Sequence, residues 1–173
     1  MVRTTLDGFD DLFRREYDVI VRDVFLVTGR QATATEITQD AFAEAVVHWR
    51  RVRNHDRPGA WVRRVAIRRA IKVRDRDRRR DELAVTDWAG SPAAHTGHDT
   101  PGSAADTAID VARALDSLTA TQRALVVLHY FDDIAVADAA ALVGCKPSTA
   151  SVHLHRARQR LGAILDTRIT TDA

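Results

Sequence analysis

The charge on residues 48–80 restricts this chain more than any other feature. They hold fourteen cations (Arg50, Arg51, Arg53, Arg57, Arg63, Arg64, Arg68, Arg69, Lys72, Arg74, Arg76, Arg78, Arg79 and Arg80) against three acids, Asp56, Asp75 and Asp77. The stretch therefore carries about +11, whereas the whole chain carries +2. Such a segment can pack only if its few apolar residues share one side. Helical spacing provides this: Val62, Ala66, Ala70 and Val73 fall on one face, and Trp61, Arg64, Arg68 and Lys72 on another. Cations clustered this way form the electrostatic footprint of phosphate binding. Trp49 and Trp61 interleave them. An aromatic flanked by Arg suits single-stranded nucleic acid, whose bases stack while its phosphates pair. Trp61 fits a half-buried core position equally well.

The flanks are acidic, with nine acids to five bases in residues 1–47 and twelve to seven in residues 81–173. With 8 Gly and 4 Pro, and no alternating strand pattern, the chain reads as all-α. A first helix is expected over residues 9–28, with an apolar stripe through Phe9, Leu12, Phe13, Tyr17, Ile20, Val21 and Val24, stopped by Gly29. A second is expected from Ala34 to Arg51, opened by a capping box of Thr33 and Glu36. Its buried face is Ile37, Ala41, Phe42, Ala45, Val46 and Trp49, which leaves Glu36, Gln39, Asp40, Ala43 and Glu44 as a small acidic face. Pro58 suits the first turn of a third helix running to about Arg78.

Residues 84–108 change character. Trp88 is the only large side chain between Thr86 and Thr107, so the segment reads as a flexible linker. His95 and His98 lack Cys or carboxylate partners at metal-ligand spacing. A second helical domain begins near Ile109 with a helix to Leu118. Thr119 and Gln122 form a second capping box, opening a helix through Phe131. Asp132 and Asp133 break that helix and are expected to cap the next, from Ile134 to Val143. Ala140, Gly144 and Pro147 then lead into a helix from Ser148 to Leu165, a helix-turn-helix arrangement. On that last helix Ala150, Leu154, Ala157 and Leu161 face inward. Ser148, Ser151, Val152, His155, Arg156 and Gln159 face outward with Thr149 at their edge, and Lys146, Arg156, Arg158 and Arg160 add charge. Turn, polar face and charge together point to duplex DNA.

The single cysteine, Cys145, allows no intrachain disulfide and agrees with a reducing, cytoplasmic setting. Residues 1–8 lack the apolar core of a signal peptide, and no run reaches membrane-span length. No phosphate loop, nucleophile elbow or metal cluster appears, so no enzyme, cofactor or metal is expected.

Several motifs converge on one family. Residues 33–42 (TATEITQDAF), with Gln39, Asp40 and Phe42, resemble region 2.2 of bacterial group 4 sigma factors, the extracytoplasmic-function type. Ala60, Trp61 and Val62 before an Arg-rich helix resemble regions 2.3 and 2.4. Residues 114–123 (ALDSLTATQR) and 154–158 (LHRAR) resemble region 4. Residues 48–53 (HWRRVR) and 142–145 (LVGC) are closest to an actinobacterial subgroup.

The resemblance implies two small helical domains: region 2 over 1–83 and region 4 over 109–166, with the linker at 84–108 and a tail at 167–173. It implies that Glu36, Gln39, Asp40 and Glu44 dock on the clamp of the largest RNA polymerase subunit, the flap being the other core contact. Arg53, Trp61, Arg64, Arg68 and Lys72 would hold the −10 element. Lys146, Ser148, Thr149, Ser151, Val152, His155 and Arg156 would read the −35 element. Promoter DNA and core polymerase are the expected partners, an anti-sigma protein an optional one, and the bacterial cytoplasm the expected location. The chain departs from many relatives at Arg68, where Asn is common, and at Ser151 and His153, where Lys and Arg are common. A free-standing helix-turn-helix regulator is the alternative, and it would have no need of the acidic second helix.

Overall fold

The computed structural model describes residues 6–87 and 114–169, with side chains through Leu83 in the first segment and Ala163 in the second. Among the described residues there is helix and no strand. Helix α1 (Phe9–Thr28) packs against α2 (Gln31–Val47) and α4 (Pro58–Asp87), and α2 also packs against α4. A single turn, α3 (Trp49–Val52), joins α2 to the loop before α4. The apolar stripes meet at the centre of this three-helix module. Leu12, Ile20, Val24, Ile37, Ala41, Phe42, Ala45, Val62, Ala66, Ile67 and Ala70 are buried. Each large aliphatic among them contributes about 1.5–3 kcal/mol by leaving water.

Several local expectations change. Helix α2 starts at Gln31 with Arg30 as its N-cap and no side-chain cap, so Thr33 lies inside the first turn and the expected capping box is absent. Val46, expected in the core, is 38% exposed. The chain turns at His48 instead of running on to Arg51, and this rotates the next residues out of the α2 register. Trp49 still reaches the core through that turn. Its ring meets Phe9 edge-on at 5.3 Å, and its Nε1–H donates to the Asp7 carbonyl at 3.1 Å. Trp49 is thus an aromatic of the core and is not available to nucleic acid. Helix α4 opens at Pro58, as expected, but continues to Asp87, beyond the Arg78 stop. Its first turn approaches α1 so closely that a Cβ on Gly59 would sit 2.6 Å from the Glu16 carboxyl carbon. That carboxylate lies where the unpaired N–H groups of a helix start favour an anion.

The described part of the second module opens with helical residues 114–116, followed by α5 (Ala120–Val126), whose Thr119–Gln122 capping box forms as expected. The chain runs on as a π-helical turn, Val127–Phe131. Asp132 and Asp133 do break the helix, but neither caps the next one. Helix α6 (Val136–Val143) is preceded by Ala135 with no side-chain cap. Gly144 (φ 95°) takes the left-handed conformation that ends α6, and its N–H donates to the Ala140 carbonyl at 2.8 Å. Helix α7 (Pro147–Ile169) follows and packs on α5 and α6, its inward face formed by Ala150, Leu154 and Ala157.

The two modules are not separate bodies. Helix α4 packs on α5 and α6, α1 packs on α5, and one continuous apolar core runs through both. Most of the expected linker, with Trp88, His95 and His98, lies outside the described residues, as do the last residues of the tail.

Candidate polymerase and promoter interfaces

Three surfaces carry the residues singled out from the sequence. On α2, Glu36, Gln39 and Asp40 are exposed and Glu44 is half-buried. The acidic face is not empty. Arg69 crosses from α4 and pairs with Asp40 at 3.2 Å and Glu44 at 2.5 Å. In the sequence Arg69 stands out only as one charge among many. It falls between the two α4 faces described above, and that intermediate position is what turns it toward α2.

On α4, Arg64, Arg68 and Lys72 are exposed, as is Arg53 in the preceding loop. Trp61 is half-buried and packs against the core. It lines a cleft of about 990 Å³ with Arg57 and Arg64 on one side and Asp133, Ile134 and Asp138 on the other. The guanidinium of Arg68 lies against the end of α6. Its Nε donates to the Leu142 carbonyl at 3.2 Å, and a second nitrogen donates to Ala141 at 3.3 Å. It therefore supplies donors to carbonyls left unpaired at a helix C-terminus.

Beside it sits an ionic cluster that sequence reasoning missed. Asp23 of α1 is wholly buried, and its carboxylate accepts from Arg22 and Arg63. Asp132 accepts from the same two arginines. Burial pushes the Asp23 carboxyl up to about 6. Arg63 and Arg22 oppose this rise, and Asp132 adds to it. Hydrogen bonding to Asp23 holds the Arg22 guanidinium above its ordinary value. The available signal was an acid at position 23, inside the apolar stripe of α1. On the same side Arg74 meets Asp116 at 3.1 Å, and buried Arg123 bonds to Asp116 and to the Leu26 carbonyl.

On α7 the expected outward set is open. Lys146, Ser148, Thr149, Ser151, Val152, His155 and Arg156 are all exposed. Among the described residues no carboxylate pairs with Lys146, Arg156 or Arg158. His153 is different: it is half-buried, and its Nδ1 is buried without a partner, so it does not belong to the outward face. Among the described residues no group of His, Cys, Asp and Glu is placed to hold a metal, and no helix is long and apolar enough to cross a membrane.

Comparison with known proteins agrees with this layout. Residues 12–80 match sigma-70 region 2, and residues 108–161 match sigma-70 region 4. The chain is 30% identical over 155 residues to the extracytoplasmic-function RNA polymerase sigma factor SigL of Mycobacterium tuberculosis, covering 87% of this chain and 86% of SigL. It is 29% identical over 163 residues to the sigma factor SigE of Mycolicibacterium smegmatis, covering 92% of this chain but 62% of that protein's length. A solved structure of the sigma factor RpoE with the anti-sigma factor NepR from Bartonella quintana shares the fold. Its TM-score is 0.67 at 22% identity, over 92% of this chain and 97% of that one. A region 2 match over the first module is not what a free-standing regulator would carry. The chain belongs to the sigma-70 family, as an RNA polymerase sigma factor of the extracytoplasmic-function type.

Proposed function

We propose that the three surfaces divide promoter recognition between them. The carboxylates of Glu36, Asp40 and Glu44, with Gln39, dock on a cationic surface of the clamp of the largest core polymerase subunit, and the second module takes the flap. Arg53, Trp61, Arg64, Arg68 and Lys72 hold the opened −10 element. Unstacking a base costs a few kcal/mol, which stacking on an aromatic and pairing of phosphates offset. Lys146, Ser148, Thr149, Ser151, His155 and Arg156 read the −35 element in the major groove, where hydroxyls and Arg meet base edges. Val152, apolar and 49% exposed on that face, suits a thymine methyl. The protein adds binding and no catalysis of its own, and it works in the bacterial cytoplasm alongside polymerase. An anti-sigma protein is a further partner, as in the Bartonella complex.

The observation that supports this most is the α7 face, polar and cationic with no carboxylate partner for Lys146, Arg156 or Arg158 among the described residues, on the same chain as an acidic α2 edge. Run-off transcription with core polymerase and this protein tests it. Discrete start sites that depend on the protein are expected. Failure to associate with core polymerase at low ionic strength overturns it.

A further inference from the structure

We propose that the far end of helix α4 grips the backbone of double-stranded promoter DNA just upstream of the −10 element, through Arg76, Arg79 and Arg80. The inference rests on the assignment of Arg64, Arg68 and Lys72 to the −10 element.

The helix is longer than its packing needs. It runs to Asp87, yet every residue from Arg78 to Leu83 is exposed, so its last described turns stand clear of the core. Several charges on this stretch have partners. Arg74 pairs with Asp116 at 3.1 Å, Asp77 with Arg30 at 3.5 Å and Arg78 with Glu82 at 2.9 Å. Arg76, Arg79 and Arg80 are exposed, and among the described residues no carboxylate pairs with them. Arg76 stands three and four positions before the other two, a spacing at which like charges on a helix repel. The run therefore weakens its own helix until a polyanion neutralises it.

Phase and composition identify the polyanion. At about 100° per residue, Arg79 falls between Arg68 and Lys72 on the helix surface, Arg76 lies about 40° past Lys72, and Arg80 about 40° further. The three thus prolong the stripe assigned to the −10 element. One acid on that stripe, Asp75, is half-buried. Arg80 is about 12 Å along the axis from Lys72, the length of three or four base pairs at about 3.4 Å each. No aromatic follows Trp61 on α4. Without a ring on which an unpaired base could stack, this end meets phosphates alone, which suits DNA that is still paired. The upstream side follows from chain order. The chain leaves this end of α4 toward the second module, which is assigned to the −35 element.

The test uses holoenzyme assembled from core polymerase and the full chain. Three duplex probes carry the −10 element and no −35 element. The first ends at the upstream edge of the −10 element; the others add one helical turn, about 10 base pairs, either upstream or downstream. Fluorescence anisotropy measures affinity across a salt series. With upstream DNA added, wild type should bind about tenfold more tightly at low salt and its log–log salt slope should steepen by about 2–3, at about 0.9 per phosphate contact. Arg76→Ala with Arg79→Ala and Arg80→Ala should bind the short probe as wild type does, keep its helical circular dichroism and lose most of that gain. Arg76→Lys with Arg79→Lys and Arg80→Lys should keep the gain. An alanine variant that gains as much as wild type overturns the proposal, because the gain then belongs to core polymerase. A gain from the downstream extension that the alanine variant loses overturns the upstream placement. If wild type binds none of the probes, the assignment of α4 to the −10 element falls, and the proposal with it.

Discussion

Arg69 of α4 holds the Glu44 carboxylate of α2 at 2.5 Å and reaches Asp40 at 3.2 Å, so one of the three charges on the acidic face is offset by its own neighbour. The pair is more than a third exposed on both sides, so it adds about 0.2–1 kcal/mol to stability. On the proposed docking, a polymerase cation competes with Arg69 for the same oxygens. Arg69→Ala should therefore lower Tm only slightly and tighten core binding several-fold at low salt. Weaker binding would mean that Arg69 positions the carboxylates instead of masking them.

Reversal of the charges themselves gives the complementary result. Asp40→Arg with Glu44→Arg should abolish core binding in a pull-down. Asp40→Asn with Glu44→Gln should weaken it while leaving the helix intact. If the reversed variant binds like wild type, the docking surface lies elsewhere.

Trp61 is half-buried, so replacing it mixes two effects. Trp61→Leu retains apolar packing and should cost about 1–2 kcal/mol in stability. It removes the stacking surface, so permanganate reactivity of −10 thymines should fall sharply while closed-complex footprints persist. Trp61→Tyr should restore reactivity. Normal opening with Leu would assign Trp61 to the core alone.

Burial raises the Asp23 carboxyl from 3.8 to about 6. The folded chain thus holds this proton more tightly than the unfolded chain. The resulting stabilisation is complete below about pH 3.8 and is lost as pH rises through about 6. Between these values Tm should fall by a few degrees with rising pH, and Asp23→Asn should flatten that slope. The groups that face Asp23 are Arg22 on its own helix, Arg63 on α4 and Asp132 after the π-helical turn. A wild-type Tm independent of pH over this window would show that Asp23 stays ionised.

Periodicity was enough to find α1, the buried face of α4 and the helix-turn-helix, because each places an apolar residue every three or four positions. It also identified the exposed face of α7, since an outward polar face needs no partner to define it. The break at His48 was not legible, because residues 46–50 hold no Gly or Pro and their weak helix propensity does not mark a stop; packing of Trp49 on Phe9 decides it. Asp132 was read as a local cap because its true partners, Arg22 and Arg63, lie 110 and 69 residues away. Pairings over such distances are set by how whole modules meet, and a single sequence does not display that.

Salt dependence counts the phosphate contacts made by the α7 face. Where the family resemblance implies two cations, this chain has Ser151, which is exposed, and His153, which is half-buried. Only at position 151 can a new cation reach a phosphate without disturbing the core. Ser151→Lys should strengthen duplex binding several-fold and steepen the log–log salt slope by about 0.9, the value for one added phosphate contact. Arg156→Ala should do the reverse, flattening the slope by about one contact or, if Arg156 reads a base, costing about 1–3 kcal/mol at one position only. Titrating binding to a −35 duplex from low to moderate salt measures both. If neither substitution changed slope or affinity, α7 would not be the helix that meets the groove.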